Sequence, residues 1–320
     1  MKILGITDHI ISGAAVIENG RVLAAVNEER LIRKKLVMGF PRQSIALVLK
    51  MANVKPEELD YVAVASKWGH FLNNYVDFDD GLFGVDRGVI KNLFFSAGSK
   101  LSFLREKVPL LEKLYYGLRK PVYARRQSAV RRVLQEELGI KCPVEFIGHH
   151  YAHACSAFYS SGYKSALVVT SDGSGDGSSS HVYEVKNGRW KRLHHVASFD
   201  SLGAYYGYVT HICGFKAGRH EGKITGLAAY GKNTFLDTLY RFITFRNGTV
   251  SNIGNAWYVA AVEKLRNALP ADFNREDLAA SIQTISEEIT CQYIGHWQNL
   301  TGQRQIALAG GLFGNVKINQ

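Results

Sequence analysis

The sequence contains the same order of secondary-structure elements twice, and this repetition limits the folds open to the chain. Residues 2–6 form an apolar strand, and 13–27 read as a hairpin with Asn19-Gly20 at its turn. An amphipathic helix, the strand DYVAVAS, the strand PVEFIG and a second helix follow. From residue 165 the chain again gives three strands, with Asn187-Gly188 at a turn, then a long helix and the strand QIALAGG. The sequence therefore predicts a duplicated β-β-β-α-β-α unit.

Such a duplication is shared by actin, Hsp70 chaperones and sugar kinases, and it predicts an α/β fold with two lobes around a nucleotide cleft. We expect a first lobe at 1–162, with a basic helical insertion at about 87–138, and a second lobe at 163–320. By element count the second copy lacks one strand and at least one helix, so we also expect the second lobe to be incomplete at its C-terminus.

Composition favours a globular protein in a reducing compartment. Hydrophobic residues make up 46% of the chain and charged residues 21%, as in ordinary folded domains. No run of about 18 apolar residues occurs, which predicts no membrane span. Asp8 and His9 interrupt the first apolar run and no small-residue cleavage site follows, so no signal peptide is expected. The four cysteines form no CxxC pair, which favours free thiols and a cytoplasmic location.

The net charge of +11 is concentrated in one segment. From Arg87 to Arg132 there are 12 Lys or Arg residues against two acidic ones, which accounts for nearly all of the excess. One interpretation is a solvated helical insertion whose Lys and Arg side chains reach outward to water. The other is a surface for an anionic ligand, a membrane or a nucleic acid. We favour the first, because no nucleic-acid-binding signature accompanies the charge.

The motif GHHYAHACSAF places histidines four positions apart. On a helix, His149 and His153 share one face and can point at one ion, whereas His150 points elsewhere. The spacing resembles HExxH, but position 150 is His, so the general base of a zinc protease is absent. The alternative to a metal site is a set of ordinary buried histidines with structural hydrogen bonds.

Two glycine-rich turns are candidates for phosphate binding. In SDGSGDGSSS, residues 171–180, glycines permit close backbone approach, and successive amides can form an anion nest. Asp172 can supply a metal ligand and Asp176 a second polar contact, although such a turn is usually only a hairpin loop. AGGLFGN follows a strand and opens a helix, the usual place for a phosphate.

Together these motifs resemble the N-terminal, nucleotide-binding domain of the NodU/CmcH family of O-carbamoyltransferases. ILGITDHIISGAAV is similar to the family's ILGI…HDxSAA, and NEERLIRKKLVMGFP to EERFTRxK…GFP. GHHYAHACSAF resembles HHxAHA, and SDGSGDGSSS resembles DGxGD. EGKITGLAAYGK is similar to GKxMGLAPYG, and AGGLFGNVKINQ to GGVALNxxxN. The resemblance covers nearly all 320 residues.

The resemblance implies a carbamoyltransferase. In that family carbamoyl phosphate and ATP give carbamoyladenylate, whose carbamoyl group passes to an acceptor hydroxyl. The implied metal is generally iron, with Mn or Zn also suited, held by His149, His153, Asp172 and a later Asp beyond Gln320. Mg²⁺ is a further candidate beside the nucleotide. His9 and Asp172 are the implied catalytic residues, and for His9 a structural hydrogen bond in its turn is an equal alternative. The implied nucleotide contacts are Gly173, Gly175, Asp176, Gly177, Gly310, Gly311, Asn315 and Asn319.

The sequence also departs from the family pattern. Ile10 stands where the motif HDxSA has Asp, and Ala229 replaces the Pro of GLAPYG. Family members carry a further YrdC-like domain that makes carbamoyladenylate, and the 320 residues contain none of it. We therefore expect this chain alone to perform at best the transfer step, and to be inactive from carbamoyl phosphate and ATP. The acceptor is expected to be a small molecule or glycan rather than nucleic acid, and the oligomeric state is left open.

Three other functions remain as alternatives. An ATP phosphotransferase of the same fold needs Mg²⁺ and an Asp base near Asp8, and does not need two histidines. A non-haem Fe(II) oxygenase would use His149, His153 and Asp172 as a facial triad, but the duplicated unit argues against it. The last alternative is a non-catalytic nucleotide-binding fragment.

Overall fold

A five-stranded sheet forms the framework of the first part of the chain. The computed structural model describes residues 1–69, 71–76, 81–84 and 109–320. The strand order in this sheet is β3-β2-β1-β4-β5; β1 pairs antiparallel with β2 and parallel with β4. Its strands are β1 (Lys2–Thr7), β2 (Gly13–Glu18), β3 (Arg21–Asn27), β4 (Tyr61–Ala65) and β5 (Val144–Ile147).

A second sheet repeats the first four positions of this order. Its order is β11-β6-β7-β8, and β6 pairs antiparallel with β7 and parallel with β11. The predicted duplication is therefore confirmed, and the chain has the duplicated α/β fold of the actin, Hsp70 and sugar-kinase type. The remaining strands are β6 (Ser165–Gly175), β7 (Ser178–Lys186), β8 (Arg189–Ala197), β9 (Ile243–Arg246), β10 (Thr249–Asn252) and β11 (Ile306–Ala309), of which β9 and β10 form a separate hairpin.

Helices cover the sheets, and those predicted after Pro41, at the histidine motif and before QIALAGG are all present. The elements between β8 and the long helix were not predicted individually. No helix in the described part of the chain is long and apolar enough to cross a bilayer. The α-helices are α1 (Glu28–Ile32), α2 (Arg42–Ala52), α3 (Gly81–Gly84), α4 (Pro109–Glu136), α5 (His149–Ser161), α6 (Leu202–Ile212), α7 (Glu221–Leu227), α8 (Leu236–Tyr240), α9 (Val259–Ala268), α10 (Arg275–Thr301) and α11 (Val316–Asn319). Short 3₁₀ helices lie at Pro56–Glu58, Ser198–Asp200, Ala228–Tyr230 and Gly311–Gly314.

Xaa-Gly pairs make the tight turns of the hairpins. Asn19-Gly20 and Asn187-Gly188 have positive φ at both residues, as type I′ turns require, so both predicted turns are present. Asn247-Gly248 forms a third such turn, between β9 and β10. Asp176-Gly177 is a fourth, with φ of 49° and 82° at the tip of the β6–β7 hairpin. The DG pair of the glycine-rich motif is thus a hairpin turn in this fold.

Spatially the chain divides into two compact units. Among the described residues, the first contains 1–69, 71–76 and 110–152, and the second contains 81–84, 109 and 153–320. The boundary falls inside α5, whereas the sequence placed it after that helix, at 162/163. Each unit has its own core, centred on residues such as Leu4 and Ile45 in the first and Leu167 and Ile282 in the second.

The basic segment is more than a solvated insertion. Residues 87–108 of the segment lie outside the described part, but α4 covers most of the remainder. Val130 and Leu134 of α4 are fully buried in the core of the first unit, and Arg126 is only 1% exposed. In the C-terminal half, Arg125, Arg131 and Arg132 are exposed, as the interpretation as a solvated helix predicts. That interpretation is wrong for Arg126 and for the apolar face of this half, which is part of the core.

The motif NEER supplies a buried carboxylate that caps α2. Glu28 is fully buried and accepts hydrogen bonds from the backbone N–H groups of Gln43 and Ser44, at 3.0 and 2.7 Å, and from the hydroxyl of Tyr75. The two amides belong to the first turn of α2, where no intrahelical acceptor exists and where negative charge is favoured. Burial, followed by the bond to Glu28, raises the pKa of the Tyr75 hydroxyl.

Replacing Glu28 by Ala should lower the free energy of unfolding by about 2–3 kcal/mol, because the two amides of α2 lose a charged acceptor. Urea denaturation followed by circular dichroism measures the change. Glu58→Ala is the control, since that carboxylate pairs with Lys2 at the surface, and its midpoint should stay near that of the native chain. Equal losses in the two variants would contradict the capping role.

Candidate metal and phosphate site

The N-terminal part of α5 contains two of the predicted ligands. His149 begins this helix, and His153 lies one turn later on the same face. The Nε2 atom of His153 is 3.4 Å from Oδ2 of Asp172, which lies on β6, the next element of the chain. One ligand atom each from His149, His153 and Asp172 lies within 4.8 Å of the other two. His150, predicted to point elsewhere, is 1% exposed and is not part of this group.

The donor set fits the implied ion. Two atoms that share an ion at about 2.1 Å lie at most about 4.2 Å apart. A small side-chain adjustment therefore brings all three donors onto one ion. Two imidazoles and a carboxylate suit Fe(II), Zn and Mn alike, so the geometry agrees with the prediction without choosing the metal. In the described residues no other three His, Cys, Asp or Glu side chains converge in this way. The ion itself stays a prediction.

Local backbone contacts fix the carboxylate of Asp172. The regular pairing of β6 with β7 breaks after Ser171 and resumes at Gly175. The N–H of Gly173 donates to Oδ1 of Asp172 at 2.7 Å. The hydroxyl of Ser201, the residue before α6, donates to the carbonyl oxygen of Asp172 at 3.1 Å. Both the backbone and the side chain of Asp172 are thus held in one orientation.

The second glycine-rich turn packs directly against Asp172. Strands β11 and β6 are parallel neighbours, so the turns at their carboxyl ends lie side by side. A Cβ atom on Gly310, whose φ is 104°, would lie 2.2 Å from the carbonyl oxygen of Ser171. A Cβ atom on Gly311 would lie 2.8 Å from Oδ1 of Asp172. Only glycine permits this approach, and it joins the two predicted phosphate turns into one site.

The remaining predicted glycines occupy different surroundings. Space is open around the position where Gly173 would carry a Cβ atom, so a ligand can approach the backbone there. Gly175 pairs with Ser178 at the base of the hairpin turn, and Asp176 and Gly177 form its tip. The structure therefore gathers Gly173, Gly310 and Gly311 around Asp172, whereas Gly175, Asp176 and Gly177 belong to the hairpin.

The two predicted asparagines hold the second turn in place. The Nδ2 group of Asn315 donates to Oε1 of Gln283 at 2.7 Å, and its Oδ1 accepts from the N–H of Lys317 at the start of α11. The Nδ2 group of Asn319 donates to the carbonyl oxygen of Phe313 at 2.9 Å. In this structure both amides bond within the chain, and their predicted role as nucleotide contacts stays a prediction.

Gln283 and Tyr206 are part of this network, and the sequence analysis missed them. The Tyr206 hydroxyl donates to Oε1 of Gln283 at 2.8 Å, and burial raises the pKa of Tyr206 to about 12. Both residues lie in long helices with no local polar motif. The available signal was Gln283 itself, since the other polar residues of the stretch LAASIQTIS are only Ser and Thr.

The turn after β1 carries the other predicted residues. The rings of His9 and His149 have centroids 6.3 Å apart and are nearly perpendicular. The Nε2 atom of His9 is inaccessible to solvent. The buried carboxylate of Asp8 accepts hydrogen bonds from Nη2 and Nε of Arg126, at 2.6 and 3.1 Å. The base that a phosphotransferase would need near Asp8 is therefore already engaged by a guanidinium group.

Replacing Gly311 by Ala should displace the Asp172 carboxylate and weaken metal binding at least about tenfold, because the new Cβ atom would overlap Oδ1. Competition with a chelator measures the affinity for Fe(II) or Zn(II). Gly314→Ala is the matched control in the same turn, since nothing lies within 4 Å of its Cβ position. If Gly311→Ala binds metal like the control, Asp172 is not a ligand.

Comparisons with known proteins agree with the motifs. The family model described as "Carbamoyltransferase N-terminus" matches residues 2–320. The nodulation protein NolNO of Sinorhizobium fredii is 30% identical over 319 residues, which cover 96% of this chain and 41% of that protein. The protein sll1178 of Synechocystis is 27% identical over 340 residues, which cover 99% of this chain and 51% of that protein. The chain thus spans about half the length of the curated relatives that it matches.

Two solved structures align over nearly the whole chain at low identity. Component A of (R)-2-hydroxyglutaryl-CoA dehydratase from Acidaminococcus fermentans covers 100% of this chain and 86% of its own, with 14% identity and a TM-score of 0.47. A ROK hexokinase from Thermus thermophilus covers 99% and 86%, with 12% identity and a TM-score of 0.41.

Proposed function

Because the chain belongs to the carbamoyltransferase family, we propose that it moves a carbamoyl group from carbamoyladenylate to an acceptor hydroxyl. The observation that carries the proposal is the meeting of three metal-type donors with two glycine-rich turns at Asp172. Proteins commonly bind phosphate groups with the backbone of a tight turn and with a fixed positive charge, so the two features together suit a phosphate-bearing substrate.

His149, His153 and Asp172 would hold the metal, with iron as the first candidate. When bound, the ion supplies positive charge that stabilises negative charge developing on the carbamoyl or phosphate oxygens. The chain's own contribution is orientation. Gly173 and Ser201 fix Asp172, so the carboxylate is in place before a substrate arrives.

The glycine turns would bind the phosphate of the adenylate. The backbone at Gly173 borders open space, while its own N–H donates to Oδ1 of Asp172, and Gly310 and Gly311 bring a second stretch of backbone to the same carboxylate. Asn315, Gln283 and Tyr206 hold the second turn from behind. The acceptor oxygen would attack the carbamoyl carbon, the bond from that carbon to the phosphate oxygen would break, and AMP would leave. His9 is the proposed base or orienting group for the acceptor proton.

The proposal is tested by supplying carbamoyladenylate, made in place from carbamoyl phosphate and ATP by a separate YrdC-like domain. Transfer to a panel of sugars, glycans and hydroxylated antibiotics is followed by mass spectrometry. We expect a carbamoylated product and AMP only when both proteins are present. No product with any acceptor of the panel would count against the proposed reaction, whereas turnover by the 320-residue chain alone would contradict our expectation that it performs only the transfer step.

Metal binding gives an independent prediction. His149→Ala and His153→Ala should each lower the bound iron to a small fraction of an equivalent, measured by elemental analysis after anaerobic loading, since each removes one donor. His150 is buried and is therefore a poor control. His195→Ala is the matched control, because His195 is exposed and is not one of the three clustered donors. Full iron content in both variants would exclude the cluster as the metal site.

A further prediction concerns nucleotide binding. Gly173→Val should weaken the binding of AMP or ADP at least about tenfold, because the side chain would fill the open space beside the turn. Isothermal calorimetry on metal-loaded protein measures the affinity. Gly222→Ala, also in open surroundings but on α7, should bind like the native chain. Native-like binding by Gly173→Val would move the phosphate site away from this turn.

A further inference from the structure

We propose that Arg126 is a positioning residue, which acts through Asp8 to hold the His9 turn beside His149. The proposal rests on the proposed function only for the role of His9 in transfer. Its structural part, the dependence of the His9 environment on Arg126, stands apart from that function.

The contacts of Arg126 use its whole guanidinium group. Nη2 and Nε reach the two oxygens of Asp8, and Nη1 donates to the carbonyl oxygen of Ser66 at 3.0 Å. The group also lies over the ring of Phe146, 5.4 Å from its centroid. Both charged side chains are nearly fully buried, at 1% and 3% exposure. A fork of donors matched to a carboxylate fixes direction as well as distance, so Asp8 has one orientation.

The turn that Asp8 begins is backbone-strained and needs such an anchor. Ile11 has a φ of 61°, a left-handed conformation that a β-branched side chain strongly disfavours. Such a residue persists only where its surroundings hold it. On the far side, the N–H of Ser12 donates to the carbonyl of Val37, and Ser12 in turn accepts from the N–H of Glu28. On the near side the side-chain anchor is Asp8, so Arg126 completes the restraint.

Arg126 and His9 also meet the same piece of backbone. A Cβ atom on Gly69 would lie 3.3 Å from Nε of Arg126 and 3.3 Å from Nε2 of His9. One residue earlier, the ring of Trp68 stacks on Tyr123 of α4, with centroids 5.5 Å apart and an interplanar angle of 9°. Helix α4 therefore holds the loop at Ser66–Gly69 against the His9 ring with two side chains, Tyr123 and Arg126.

This arrangement explains why the predicted base is placed where it is. His9 follows Asp8 directly, and its Nε2 atom is shielded from solvent. Its ring lies next to the ring of the ligand His149. If the turn relaxed, the His9 imidazole would lose both the shielding of its Nε2 atom and its place beside the His149 ring. If the ion pair only stabilised the fold, an apolar pair of similar volume could replace it without loss of stability. The position of His9 would then not depend on the pair.

The experiment separates a role of the ion pair in stability from a role in positioning His9. The double variant Asp8→Leu/Arg126→Met removes both charges and keeps the buried volume, and Arg126→Lys keeps the charge but not the fork. Arg131→Met is the matched control, because Arg131 lies on the same helix and over the same Phe146 ring but is exposed. Each full chain is assayed for melting temperature and for the rate at which diethyl pyrocarbonate modifies His9, read by peptide mass spectrometry. The transfer assay then gives kcat and KM.

We expect the double variant to melt near the native temperature, yet to show His9 modified about fivefold faster or more, since the shielded nitrogen becomes accessible. Its kcat should fall at least about tenfold with little change in the KM for the adenylate. Arg126→Lys should give a modification rate and a kcat between those of the native chain and of the double variant. Arg131→Met should match the native chain in every measurement.

Native modification rates in a folded double variant would overturn the proposal, as would an equal effect of Arg131→Met. If the double variant does not fold, Arg126→Lys decides by the same measurement: a native rate overturns the proposal, and a faster rate supports it. If no protein of the set transfers carbamoyl groups, the proposed function fails, while the modification rates still decide the positioning role of Arg126.

Discussion

The candidate site depends on one close contact, the approach of Gly310 and Gly311 to Ser171 and Asp172. It requires the parallel pairing of β11 with β6, which brings the ends of two strands together, and it requires the absence of two Cβ atoms. Without the pairing, the two glycine-rich turns would be unrelated loops. Without the glycines, a Cβ atom would overlap Oδ1 of Asp172 and displace the carboxylate. The three predicted metal donors and the two predicted phosphate turns therefore depend on the same contact.

A second constraint acts on the other polar turn, after β1. There Ile10 stands where the motif HDxSA has Asp, and the backbone adopts a conformation that Ile11 disfavours. The buried pair of Asp8 and Arg126 supplies the restraint that the local sequence does not. In this chain the acidic side chain of the turn thus serves the architecture, and the imidazole of His9 is what the turn presents towards His149.

Features set by neighbouring residues could be predicted from the sequence. The Asn-Gly turns, the helix face shared by His149 and His153, and the repeated order of elements are all local or periodic patterns, and the structure contains them. The contacts that were missed join distant residues. Arg126 is 118 positions from Asp8, and it was one of 12 similar cations. Its place on the face shared by Tyr123, Val130 and Val133 was the available signal. Glu28, Gln283 and Tyr206 were missed for the same reason, because a partner across the fold gives a residue its role.

The same contrast between near and distant partners has a consequence for how the site comes into being during folding. His149, His153 and Asp172 lie within 24 positions of one another, on a helix and the strand that follows it. Gly311 lies about 140 residues beyond Asp172, so its approach must wait for the closure of a long loop. The three donors can thus gather early in folding, or on a ribosome-bound chain, while the glycine turn arrives last. A metal ion captured by the early cluster would stabilise it before the phosphate site exists, which makes the order of assembly, and not only the final geometry, a property encoded in the chain.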